Sequence, residues 1–143
     1  MTTPNYSGGL DTSQPVVFPA GVVAPLVSTS HVANYAVQTS DSGSLMAANQ
    51  SSATTVFTLP PAGTNSGLVF TFVNNVLSNA TGLQLVCSGT DVITLYGQAT
   101  SSPSTGSVTS TAARQSITVA CLGGSNGHWY QIAGDAPANW TVV

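Results

Sequence analysis

Beyond residue 35, apolar and polar side chains alternate in runs of five to seven residues, each closed by Ser, Gly, Asn or Pro. A period of two is the signature of a strand with one buried face. It predicts strands at TVFTL (55–59), LVFTFV (68–73), GLQLVC (82–87), VITLY (92–96), GSVTST (106–111), SITVACL (116–122) and HWYQIA (128–133). YAVQT (35–39) and SLMAA (44–48) complete the set, with a single helical turn over SLMAANQSSA as the alternative. The separating segments PPAGTNSG, NNVLSNATG, SGTD, QATSSPST and GGSNG are turn chemistry. No stretch sustains a helical period. Short strands at this spacing predict an all-β sandwich or barrel rather than a βαβ fold.

Alternation also assigns faces. Leu68, Phe70 and Phe72 share one side of their strand, and Val69, Thr71 and Val73 the other. Ile93 and Leu95 oppose Val92, Thr94 and Tyr96. The second face is mixed rather than plainly polar, which fits either burial between subunits or threonine-rich outer faces. Leu83, Leu85 and Cys87 fall on one side, as do Ile117, Val119 and Cys121. Both thiols are therefore expected to point into the core as small hydrophobes rather than to form a disulfide.

Residues 1–34 break this pattern. Pro4, Pro15, Pro19 and Pro25 recur among Gly8, Gly9 and Gly21. Proline fixes φ and removes a ladder donor, so the segment reads as an extended arm, with the β-domain over 35–143. VVFPAGVVAPLV (16–27) is nevertheless strongly apolar and needs a surface to lie on.

Charge changes the picture most. Only 3% of the 143 residues are charged, against about 25% in an ordinary soluble domain. They are Asp11, Asp41, Asp91, Asp135 and Arg114, while Ser and Thr supply 19 residues each. Hydroxyls have replaced charges as the polar surface. One Arg and no Lys cannot neutralise a phosphate backbone, which excludes a nucleic-acid partner and an electrostatic membrane patch. No apolar run reaches the roughly 18–20 residues of a membrane span, and the N-terminus carries no secretory signal pattern.

Candidate chemistry is sparse. GGSNG (123–127) formally matches a nucleophile elbow, with His128 adjacent to the string that holds Ser125. It lies between two strands, where Gly-Asn-Gly makes a hairpin turn, so no catalytic residue is assigned. Asp41, Asp91 and Asp135 sit in turn contexts, where each is expected to cap its own backbone. His31 lacks the convergent partners a metal site needs, so no metal and no cofactor is expected. The four Asn-x-Ser/Thr sequons, at Asn5, Asn49, Asn79 and Asn139, are what a Ser/Thr-rich chain produces by chance. Trp129, Tyr130 and Trp140 are candidates for a subunit interface or a sugar platform, although Trp129 also reads as a core anchor.

TSDSGSLMAANQSSATTVFTLPPAGTNSGLVFTFVN, GTDVITLYG and SITVACLGGSNGHWYQIAG together resemble a recurrent module of tailed-bacteriophage virion proteins. The resemblance rests on the Asp-Ser-Gly turn at 41–43, TLP at 58–60, GLVFTF at 67–72, DVI at 91–93 and WYQIAG at 129–134. It covers about Thr39 to Gly134 and leaves residues 1–38 outside. It implies a small antiparallel β-sandwich, jelly-roll-like, found in capsid decoration (cement) proteins and in head and tail fibres. One module with an apolar arm and no coiled-coil or repeat shaft points to decoration rather than a fibre. The resemblance then implies no enzymatic activity and a place on the capsid surface of a virion assembled in the host cytoplasm. The partners would be the major capsid protein and sister subunits, in a homotrimer in preference to a dimer. Val16, Val17, Phe18, Val22, Val23 and Leu26 are assigned to the grip on the shell. The rival expectation is a receptor- or carbohydrate-binding module of a head or tail fibre, using Trp129, Tyr130 or Trp140.

Overall fold

The computed structural model describes residues 27–97, 99–123 and 127–143. The chain crosses between two sheets after each of its first five strands. These are β1 (Ser28–His31), β2 (Tyr35–Ala36), β3 (Leu45–Ala48), β4 (Thr55–Thr58) and β5 (Val69–Asn74), followed by β6 (Leu83–Val86). β1, β3 and β5 therefore lie side by side and parallel in one sheet. β2, β4 and β6 do the same in the other. Each parallel neighbour is reached by way of the opposite sheet, which supplies the long crossover that parallel pairing requires.

The second half closes the two sheets. It contributes β7 (Val92–Leu95), β8 (Ala99–Thr100), β9 (Ser107–Ser110), β10 (Ser116–Cys121), β11 (His128–Gly134) and β12 (Trp140–Val142). β10 lies antiparallel between β5 and β11, and β7 joins β11 in parallel and β8 in antiparallel. β9 lies antiparallel between β6 and β12. The seven-stranded sheet runs β1-β3-β5-β10-β11-β7-β8 and the five-stranded sheet β12-β9-β6-β4-β2.

The all-β sandwich expected from the sequence is present, but its sheets are mixed rather than antiparallel. A jelly roll is built from antiparallel strands, so the parallel pairs are a departure from it. A turn-rich connection looks the same in sequence whether it closes a hairpin or arches across to the other sheet. β1 falls within residues 1–34 and forms an edge of the larger sheet, so the folded body extends back to Ser28. SLMAA is strand, with Leu45–Ala48 paired on both sides.

The predicted inner faces are the core. Phe70 and Phe72 of β5, Leu83 and Leu85 of β6, and Ile117, Val119 and Cys121 of β10 are fully buried. Phe57 of the small sheet meets Phe72 of the large one at 5.0 Å between ring centroids, and Phe70 meets Trp129 at 5.5 Å. Each such aromatic contributes roughly 1.5–3 kcal/mol through removal of apolar surface from water. Cys121 is buried, Cys87 is half-buried against the same cluster, and both are free thiols.

Asn74 is the exception on the inner face of β5, a fully buried amide. Its Nδ2 lies 2.8 Å from the carbonyl oxygen of Asn79 and 3.1 Å from that of Ala80. Ser110 Oγ and the carbonyl of Ala112 both stand at 3.2 Å. Oδ1 accepts from the Val76 amide, and a side chain at Gly82 would strike it. Nearby, amides bridge successive parallel coils: Asn75 Nδ2 donates to Asn49 Oδ1 and Asn49 Nδ2 to Ser30 Oγ. Replacing Asn74 with Ala leaves buried carbonyls without donors and is expected to cost about 3 kcal/mol, read from urea unfolding. Asn75→Ala, on an exposed residue, is expected to cost about 0.5 kcal/mol. Equal effects of the two substitutions would contradict the buried-hub assignment.

Candidate functional site

Among the described residues no strand carries a formal charge: Asp41, Asp91, Arg114 and Asp135 all lie in turns or a 3-10 turn. The outer face of the large sheet is instead satisfied by hydroxyls. Leu45, Thr71, Thr118 and Ala133 are neighbours across β3, β5, β10 and β11. Within that row Thr71 Oγ1 and Thr118 Oγ1 are 3.0 Å apart. Thr94 and Thr100 repeat the pair at 3.1 Å. On the small sheet Gln84 Nε2 donates to Ser107 Oγ at 3.2 Å and Thr109 Oγ1 at 3.0 Å.

Among these hydroxyls stand exposed apolar side chains. Tyr130 is 36% exposed, Tyr96 45% and Ile132 54%. The pairing of β10 with β11 slips between Thr118 and Val119, which leaves Ile132 unpaired in a bulge and turned to solvent. Tyr96, with φ of 42°, donates its hydroxyl to the carbonyl of Gly134 at 3.3 Å. The outer surface near β11 and β7 is thus aromatic and neutral.

The carboxylates act on the backbone. Asp41 Oδ2 accepts from the Gln38 amide at 2.8 Å and from the Tyr35 hydroxyl at 3.0 Å. That bond, then burial and the Asp41 charge, pushes the Tyr35 phenol above its ordinary value of 10.0. Asp91 Oδ2 accepts from the Ala62 amide at 2.6 Å, and Asp135 Oδ2 from the Ser116 amide at 2.7 Å. Only Asp41 caps its own turn as expected; the other two clamp segments distant in sequence. Gly127 packs so closely on the Asp91 carboxylate that a Cβ there would overlap it.

The sequence-assigned residues divide sharply. Val16, Val17, Phe18, Val22, Val23 and Leu26 lie outside the described residues, as does Ser125. Trp129 is fully buried, the core anchor of the plainer reading, and Trp140 is 5% exposed within the same cluster. Tyr130 alone of the three rings presents itself to solvent, so the three form no shared platform. His31 is a partly exposed ring 4.3 Å from Tyr35 and 5.2 Å from Phe57, with Nε2 3.0 Å from Thr29 Oγ1. No three metal-ligating side chains converge among the described residues.

Sequence reasoning missed a cavity of about 400 Å³ lined by Thr90, Val92, Thr100, Ser101, Pro103 and His128. It forms where β11 pairs in parallel with β7, setting His128 opposite Val92. Nothing in the local sequence announces that pairing. His128 also stacks on Tyr130, with ring centroids 5.7 Å apart and planes at 18°.

Burial, with the Asp91 charge adding to it, pushes the Cys87 thiol up from 9.0 to about 12. Folding therefore favours the neutral thiol. Its contribution is intact below 9.0 and is lost as the pH rises from there toward about 12. Tyr35 acts in the same direction above 10.0. Urea midpoints are expected to fall on the alkaline side of 9.0, and less steeply in Cys87→Ala. Parallel declines in the two proteins would exclude Cys87 as a cause. No protein-family model matches the chain, and no curated protein is significantly similar to it.

Proposed function

We propose that this chain is a non-enzymatic structural protein of a phage virion: a capsid decoration, or cement, protein on the outer shell. The resemblance over Thr39 to Gly134 gives the class. The observation that carries the reading is the neutrality of both broad sheet faces, whose strands hold no formal charge among the described residues. A protein copied densely over a lattice benefits from such faces, because like-charged neighbours repel and the repulsion varies with salt. Hydroxyl rows and the exposed Tyr96, Tyr130 and Ile132 offer contacts that depend little on ionic strength.

In this reading the protein sits between capsomers as a homotrimer. Its partner is the major capsid protein, gripped through Val16, Val17, Phe18, Val22, Val23 and Leu26. A fibre-borne sugar platform on Trp129, Tyr130 and Trp140 has less support, because two of its three rings are buried. Deleting residues 1–27 removes the arm and spares β1, which starts at Ser28. The truncated protein is expected to keep its β-sheet circular dichroism and lose shell binding in co-sedimentation. The intact protein is expected to bind nearly equally at low and high salt. Retained binding after truncation would refute the grip, and a steep loss with salt would refute the neutral-face argument.

A further inference from the structure

Val92 is only 7% exposed, yet it is not part of the core cluster. Its strand neighbour Ile93 and the adjoining Trp129 are fully buried in that core, so alternation directs Val92 and His128 to the opposite side of the sheet. On that side Val92 lines a cavity of about 400 Å³ together with Ser101, Pro103 and His128. That volume falls within the range of about 300–1,000 Å³ typical of small-molecule sites.

The lining is specific in chemistry. Thr90, Thr100 and Ser101 bring hydroxyls, and Val92 and Pro103 bring apolar surface. Ser101 is 2% exposed, and its Oγ accepts from the Ile93 amide at 2.9 Å, which leaves the hydroxyl hydrogen to donate elsewhere. His128 adds an imidazole edge to the lining, although its Nδ1 is buried against protein rather than turned to the cavity. A purely apolar occupant would leave the lining hydroxyls without a partner on that side, which is unfavourable. An anion finds no cation in the lining, and the Asp91 carboxylate packs against Gly127 of the same wall.

We propose that this cavity binds a neutral pyranose residue of a glycan. Ring hydroxyls would pair with Thr90, Ser101 and His128, and the apolar C–H face would lie on Val92 and Pro103. The His128–Tyr130 stack extends an aromatic surface outward from the cavity for a following sugar unit. This site is distinct from the tryptophan platform and does not depend on the shell reading.

The test is amide NMR of the full chain titrated with the methyl glycosides of glucose, galactose and mannose and with N-acetylglucosamine. N-acetylneuraminic acid serves as the anionic comparison. At least one neutral sugar is expected to shift the amides of Val92, Ser101 and His128 ahead of all others. Thr90→Val, at an exposed position, should weaken that sugar about tenfold without lowering the melting temperature. His128→Ala should weaken it further. The proposal is overturned if no neutral sugar perturbs those amides in the folded chain. It is equally overturned if the response survives both substitutions, or if the anionic sugar binds in preference.

Discussion

A chain that changes sheets after each of its first five strands gives up the hairpin there, and with it the cheapest way to satisfy backbone groups at strand ends. Each arch must find other partners for its amides and carbonyls, since a buried unpaired one costs about 1–3 kcal/mol. Asn74 is where this constraint bears hardest. It ends β5, lies against the loop at 79–82 and against the turn at 111–115, and has no access to solvent. Its own backbone holds the same turn: its amide donates to the Gln115 carbonyl and its carbonyl accepts from Arg114. The coiled first half and the second half meet at this amide as well as along the β5–β10 and β6–β9 pairings. Asn79 and Asn49 extend the same solution outward through side chain to backbone and side chain to side chain bonds.

Neutral strands follow a similar logic on the outside. Without Lys or Glu, cross-strand rows are held by threonine pairs and by Gln84, groups that pair equally well with one another or with water. Such faces lack the charges that usually keep sheets from associating. The edges offer partial protection through brevity: β2 and β8 have two residues and β12 three. β1 is the longest edge strand at four residues, and it lies directly after the apolar segment 16–27. Function, in this account, lies in surfaces and neighbours rather than in a reacting group.

What could be read in advance divides along physical lines. Phe70 and Phe72, Leu83 and Leu85, and Ile117 through Cys121 showed their inward faces because alternation is a local property of a strand. Partners are not local. Nothing near Leu45 specifies that it pairs in parallel with Thr71, and nothing near Asp91 specifies that it clamps Ala62. Trp140 was a candidate for a subunit interface or a sugar platform, yet three residues suffice to add β12 beside β9 and bury its ring. The His128 cavity was hidden for the same reason, being a product of the β7–β11 register.

The central claim, that this chain is laid densely over a shell, is tested most directly by counting it. Quantitative mass spectrometry of virions purified from its source would give its copies relative to the major capsid protein. The account predicts a near-stoichiometric ratio. A handful of copies per particle would place the chain in a fibre or spike, and complete absence would remove it from the virion altogether; either result contradicts the account.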